Sequence, residues 1–296
     1  MQPGQEPVAV IGLGTMGRSI ARLLVAGGIE VRGFDPAGVA EPLEGVVLAR
    51  DLQECASGSA VVIEAIPERF DLKATVLAEI SRATTGIIAS NTSTFVPSTL
   101  VPHVEAPERF LVGHFFNPAD LIPLVEVVPH GGTAPDVVER FVALMRRLDR
   151  RPVVVRAERA GFVANRLQAA VLREALALVE DGVVTAADLD EIVRSGLAAR
   201  WAAVGPIGVA DLGGLDVFEA VCRQILPTLD ASVEASPLLV ERVARGELGA
   251  KSGSGFYPHD PGSLAATRAT VARVLAAQRG SGPDPAPVGA SGTASR

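Results

Sequence analysis

Pro7-Val8-Ala9-Val10-Ile11-Gly12-Leu13-Gly14-Thr15-Met16-Gly17 is the stretch that decides the fold. Pro7–Leu13 is apolar and reads as a strand. Met16–Ala26 has helical spacing, with Ile20, Leu23 and Leu24 on one face. Strand, glycine turn and helix in direct succession open a βαβ unit. Each glycine has its own reason. Gly12 permits the tight turn. Gly14 lets backbone approach a pyrophosphate, seated at the helix N-terminus beside Thr15 and Met16. Gly17 lets the helix close onto the strand. Glu30–Phe34 reads as the second strand, and Asp35 ends it. There a carboxylate accepts from a ribose 2′-hydroxyl and repels a 2′-phosphate. The order of these pieces predicts NAD rather than NADP, with Arg32 the one neighbour that would suit the phosphate. Taken singly, the glycines could serve a bare turn and Asp35 a solvated position before Pro36.

Outward from that motif, Val46–Leu48, Ser59–Ile66 and Gly86–Ser90 read as further strands and Leu72–Ser81 as a helix. Strands alternating with helices predict a parallel sheet. Phe110–Phe116 and Leu124–Val128 follow each other too closely for a helical crossover and fit an antiparallel addition. Pro135–Asp149 reads as a helix and Pro152–Arg156 as a last strand. After Glu158 the pattern turns helical: Phe162–Glu180, a helix capped by Thr185 and running to Ser195, Asp211–Leu226 stopped by Pro227, and Pro237–Arg245. The expected fold class is α/β. A Rossmann doubly wound sheet domain (1–157) is followed by an all-α domain (158–279), and 280–296, rich in Gly, Ser, Pro and Ala, reads as a disordered tail.

The chain has 296 residues, with 27 Lys and Arg against 34 Asp and Glu, a net charge of −7. That balance argues against nucleic acid as a partner, which calls for a basic stripe. No apolar run approaches the ~18–20 residues of a membrane span. Met1–Glu6 lacks the features of a signal peptide. Cys55 and Cys222 make no disulfide framework, so a cytoplasmic address is expected. Only Lys73 and Lys251 are lysines, and the other basic residues are arginines.

Among four histidines, His103, His130 and His259 lie beside prolines or glycines, in loop-like contexts. His114 instead lies inside the apolar run Phe110–Phe116, and Glu126 inside Leu124–Val128. A reversal at Asn117–Pro123 would pair them. Burying a carboxylate is costly unless it is partnered, and a His–Glu pair would make imidazole an oriented base. A purely structural pair fits the periodicity equally well. Ser90-Asn91-Thr92-Ser93-Thr94 follows a strand at the carboxyl end, where open α/β sheets bind ligands. A Ser/Thr turn reads the same way. Asn165 lies just inside the first helix of the second domain, a place that also suits a cap.

Together these motifs resemble the L-3-hydroxyacyl-CoA dehydrogenase family. The resemblance is carried by Gly12–Gly17, Glu64-Ala65-Ile66-Pro67-Glu68, Ser90–Ser93, His114–Pro118 and Leu124–Val128. It continues through Gly161–Leu167, Gly205-Pro206 to Asp211, and Lys251–Tyr257, in the family's order. It implies that His114 is the general base, Glu126 orients it, Ser93 meets the substrate oxygen or cofactor, and Asn165 supports the substrate carbonyl. It further implies that Glu68 and Asn91 contact NAD, that the site lies in a cleft between the domains, and that the helical domain forms a homodimer. The expected substrate is a 3-hydroxyacyl thioester, on CoA or an acyl-carrier protein, oxidised to the 3-oxo form or the reverse. One departure bears on this. Family members acting on acyl-CoA resemble one another in a long helical hairpin after the second strand, and only about ten residues are available for it here. The Asn117–Pro123 loop and Arg200-Trp201 are similar to gulonate and carnitine dehydrogenases, lambda-crystallin and carrier-protein-linked enzymes, so a small free 3-hydroxyacid is the alternative substrate. Arg159, Arg166, Arg173, Arg194 and Arg200 suit either phosphates or ordinary helix surface. The 6-phosphogluconate type of dehydrogenase begins with a similar glycine motif, but its catalytic lysine has no counterpart in Gly161–Asp181. A non-catalytic NAD-binding scaffold is the remaining alternative, against which the full set of polar residues weighs.

Overall fold

The computed structural model describes residues 6–39 and 41–279. The predicted tail from residue 280 lies outside them. The chain divides into two compact units after Gln168.

The first unit runs β1 (Val8–Ile11), α1 (Thr15–Ala26), β2 (Val31–Phe34), β3 (Val46–Leu48), α2 (Leu52–Ala56), β4 (Val61–Glu64), α3 (Phe70–Ala83), β5 (Ile87–Ser90), α4 (Pro97–Leu100), β6 (Phe110–Phe115), β7 (Leu124–Pro129), α5 (Pro135–Arg147), β8 (Arg151–Val154) and the first turn of α6 (Ala164–Glu180). The sheet order is β3-β2-β1-β4-β5-β6-β7-β8. The β3-to-β6 portion is parallel throughout, β7 runs antiparallel to β6, and β8 is parallel to β7. The antiparallel addition read from the short Asn117–Pro123 connection is therefore in place.

The central strands β1, β4, β5 and β6 are buried on both faces, as helices on either side of a parallel sheet require, while the edge strands β3 and β8 stay partly exposed. Along β1, Val8 and Val10 join a core with Ile20 and Leu24 of α1 and Phe141 and Met145 of α5. Ala9 and Ile11 join the opposite core, with Cys55 of α2 and Leu77 and Ile80 of α3. The short helix α2, absent from the sequence-based reading, is started by Asp51, whose side chain accepts from Glu54 N at 2.7 Å.

The second unit is helical. Past the body of α6, Thr185 caps α7 (Ala186–Ile192) as expected, its hydroxyl accepting from Asp188 N. This helix does not stop near Ser195. A π-helical turn, Val193–Ala198, carries the chain into α8 (Ala199–Gly213). The helix expected over Asp211–Leu226 is likewise corrected. Gly214, at φ 94°, separates α8 from α9 (Leu215–Ile225), so Asp211 closes one helix rather than opening another. Gly205, at φ 73°, breaks the helical path before Pro206. Then come α10 (Pro237–Ala244), capped by Ser236, and α11 (Pro261–Arg279). Only isolated bridges, among Gly249, Ser254 and Pro258, interrupt the helical character of its described residues. No single helix among the described residues is long and apolar enough to cross a membrane.

Candidate active site

The three glycines of the opening motif answer to different demands. A Cβ on Gly12 would lie 2.8 Å from the Ala65 carbonyl oxygen, and one on Gly17 would lie 1.8 Å from that of Gly12. The fold alone forbids a side chain at both. A Cβ on Gly14 would meet nothing within 4 Å. Gly14 faces open ground at the N-terminus of α1, where no side chain caps the helix and no acidic residue occupies the first turn. The first-turn amides of Thr15 and Met16 therefore suit an anion. Asp35 is fastened beside them, its Oδ2 accepting from Leu13 N at 2.7 Å and its Oδ1 from Ala37 N at 2.9 Å. Arg32, which could have favoured a 2′-phosphate, donates to the Ser57 carbonyl at 2.7 Å and lies 3.8 Å from Glu30. An adenosine ribose carrying a free 2′-hydroxyl fits this set.

His114 and Glu126 are direct partners across β6 and β7. Nδ1 of the imidazole lies 2.9 Å from Oε2 of the carboxylate, and both side chains are buried. Oε1 accepts from Val163 N and Ala164 N, each at 3.0 Å, where the chain enters α6. Burial pushes the Glu126 carboxyl up. The bonds from His114 and the two amides outweigh it and hold Glu126 below the usual glutamate range. An ionised carboxylate only accepts, so Nδ1 must be the donor. Neutral His114 then carries its lone pair on Nε2.

The remaining predicted residues fall into a second network. Asn165 Nδ2 donates to the Ser93 carbonyl at 3.3 Å, and Ser93 N donates to Glu68 Oε1 at 3.0 Å. The Ser93 hydroxyl makes no hydrogen bond among the described residues, so it is available to a ligand. Glu68 Oε1 also takes Thr92 Oγ1, Thr94 N and Thr94 Oγ1, and so holds the whole Thr92–Thr94 turn. Burial raises the Glu68 carboxyl, but the two threonine hydroxyls and Lys73 hold it below the usual range. Asn91 spends its side-chain oxygen on Phe115 N at 2.9 Å, beside His114. The α6 entry joins both networks. Its backbone holds Glu126, and its first-turn asparagine reaches Ser93.

Two residues that the sequence reading names without giving them a role are joined here. Lys73, fully buried on α3, lies 2.7 Å from Glu64 Oε1 and 3.3 Å from Glu68 Oε2. Glu64, at the end of β4, has no exposed surface and accepts from Ser90 Oγ at 2.6 Å. The signal was composition. In a chain whose other basic residues but one are arginine, a retained lysine marks a place where a compact three-donor ammonium is needed and a planar fork is not. Of the helical-domain arginines, Arg166, Arg173, Arg194 and Arg200 all bond to groups of their own chain, as helix-surface charge does.

Residues 34–158 match the NAD-binding domain of 3-hydroxyacyl-CoA dehydrogenase, and residues 161–259 its C-terminal domain. Three curated relatives span nearly the same length. The 5-formyl-3-hydroxy-2-methylpyridine 4-carboxylate 5-dehydrogenase of Mesorhizobium japonicum is 35% identical, over 92% of this chain and 96% of its own. The human lambda-crystallin homolog is 33% identical (88% and 91%), and the L-carnitine dehydrogenase of Burkholderia mallei 34% (81% and 85%). Among solved structures, an NAD⁺-dependent 5-dehydrogenase of that pyridine carboxylic acid superposes with a TM-score of 0.84 at 34% identity, over 93% and 97% of the two chains. A 3-hydroxyacyl-CoA dehydrogenase of Archaeoglobus fulgidus gives 0.67 at 30% identity, over 94% and 100%.

Proposed function

The chain belongs to the 3-hydroxyacyl-CoA dehydrogenase family, an NAD-dependent dehydrogenase acting on CH–OH, and from that premise we propose that its substrate is a small hydroxy acid free of any carrier. The observation that carries this reading is the β2–β3 connection. β2 ends at Phe34 and β3 begins at Val46, and the described residues between them form no helix. Acyl-CoA members resemble one another in a long helical hairpin at that place. Two similar relatives have names that denote carrier-free compounds, a pyridine carboxylate and L-carnitine. The thioester reading keeps the support of the A. fulgidus structure.

In this reading His114 Nε2 takes the hydroxyl proton as the carbinol carbon gives up its hydride. NAD supplies the hydride acceptor. Glu126 stays ionised and stabilises the imidazolium that forms. The Ser93 hydroxyl donates to the substrate oxygen, and Asn165, tied to the Ser93 carbonyl, presents its amide beside it. The helical unit completes the assembly as a homodimer. Leu176 is the only buried apolar side chain among that unit's described residues, while Ile207, Leu212, Leu215 and Leu226 are each more than 60% exposed. Exposed apolar side chains in this number call for a partner, and a second copy of this chain supplies it symmetrically. The cytoplasm, where Cys55 and Cys222 stay reduced, is the compartment that suits the protein.

The test is NAD reduction with L-carnitine, free 3-hydroxybutyrate, 3-hydroxybutyryl-CoA and 3-hydroxybutyryl acyl-carrier protein, with His114→Ala beside wild type. A free acid should be preferred by kcat/KM. His114→Ala should lose about 10²–10⁴ in kcat, the span of a positioned general base, and keep its NAD affinity. Preference for either thioester overturns the substrate reading. Near-normal turnover by His114→Ala overturns the base.

A further inference from the structure

Phe162 has a backbone conformation that its side chain does not favour. Its φ is +52°, directly after Gly161 at +73°. The left-handed region costs a residue with a Cβ roughly 1–2 kcal/mol, and a bulky residue there calls for a local reason. Asp149, the other non-glycine residue at positive φ among those described, has the short polar side chain that tolerates it. At Phe162 the structure supplies three reasons. The side chain is fully buried in a cluster with Val112, Val128 and Val155. Its ring lies 5.4 Å from that of His114. The left-handed turn also aims the next two amides, Val163 N and Ala164 N, at Glu126 Oε1.

We infer that the Gly161–Phe162 turn is a positioning device for the His114–Glu126 pair. This rests on the reading that the pair performs the chemistry. A carboxylate free to rotate offers its partner either oxygen. With Oε1 fastened by two amides, Oε2 alone faces Nδ1, and the imidazole is held in one tautomer with Nε2 outward. The expected helix start at Phe162 is thereby explained and corrected. Right-handed φ at 161 and 162 would extend α6 by two residues and carry both amides off the carboxylate. Glu126 would then lie buried with one oxygen unmet, and burial would push its carboxyl up. Phe162 touches the imidazole from the side and sets the carboxylate through its backbone. It is a positioning residue and moves no proton itself.

Gly161→Ala tests the backbone alone, because its Cβ would meet only Arg166 Cγ at 3.7 Å and Asn165 Cβ at 3.8 Å, ordinary contacts. Phe162→Val places a β-branched residue where the left-handed region is least tolerated. Phe162→Gly keeps the turn and gives up the ring. The readout is ¹⁵N-histidine NMR of the full-length protein, whose four histidines are separable by subtracting His114→Ala, together with kcat on 3-hydroxybutyrate and NAD affinity. Wild type and Phe162→Gly should show His114 as the pure Nδ1–H tautomer. Gly161→Ala and Phe162→Val should show mixed tautomers, with kcat lowered roughly 10–100-fold, the effect of misplacing a catalytic group by about an ångström. NAD affinity should stay within twofold, which also reports that the first unit is folded. Added to Glu126→Gln, neither substitution should lower kcat further. A pure tautomer in Gly161→Ala and Phe162→Val, or losses that multiply with Glu126→Gln, overturns the inference. Full turnover by His114→Ala would instead remove the catalytic reading, and the tautomer measurement would still decide what the turn does.

Discussion

Glu126 and Glu68 begin alike and end differently. Burial pushes both carboxyls up, and hydrogen bonds bring both below the ordinary glutamate range. Each has one oxygen held by two consecutive backbone amides, Val163 and Ala164 for Glu126, Ser93 and Thr94 for Glu68. The second oxygen makes the difference. Glu68 turns it to Lys73, 3.3 Å away on α3, and so holds a loop. Glu126 turns it to the buried His114, 2.9 Å away, and so under the proposed function orients the base. What a buried carboxylate can do depends on the partner its second oxygen is given.

The sharpest way to break this contrast is Glu126→Gln. The amides at 163 and 164 will claim the remaining oxygen, leaving the NH₂ group to face Nδ1 and force the wrong tautomer. Where such a swap inverts a catalytic histidine, kcat falls on the order of 10⁴, and a fall of about 10³–10⁴ is expected, with NAD affinity intact by equilibrium titration. A loss under tenfold would reduce Glu126 to the rank of Glu68.

Lys73→Met should act the other way, on stability more than on turnover. It strands Glu64, which has no exposed surface. Removing one member of a buried pair costs about 3–5 kcal/mol, readable as a lowered urea midpoint for the first unit at unchanged m-value. If stability holds, the Glu64–Lys73 pair is not a structural strut.

The smallest effect is common to both carboxylates. A glutamate whose folded value lies below its unfolded one (about 4.3) contributes stability above that unfolded value. The contribution is lost as pH falls through the folded value. The stability margin of wild type over Glu126→Gln, and over Glu68→Gln, should be flat from neutral pH to about pH 5 and shrink below it. A margin that grew on acidification would contradict the direction of both shifts. Calorimetry from pH 7 to 3 measures it.

Where the chemistry is local and periodic, the sequence was readable. The Gly12–Gly17 turn, the alternating strands and the antiparallel partnership of His114 with Glu126 all follow from short-range spacing. What was hidden depends on backbone conformation or on distant partners. Nothing in Gly161-Phe162-Val163 distinguishes a left-handed turn from a helix start, because an aromatic residue at positive φ runs against its own preference. The Lys73–Glu64 pair spans a loop that no periodicity crosses. In the second unit the Thr185 cap and the helix end before Pro227 were legible, whereas the continuation past Ser195 through a π-helical turn and the break at Gly214, at φ 94°, lie in backbone geometry that helical spacing does not announce.

The open space at Gly14 has a consequence for descent. Gly12 and Gly17 are enforced by folding itself, whatever the protein does, since any side chain there strikes backbone. Gly14 is under no such discipline. A lineage that kept this architecture but gave up its cofactor would retain the first and last glycines and be free to drift at the middle one. Replacement at that single position, with its two neighbours intact, would be the earliest mark of a descendant recruited to another occupation.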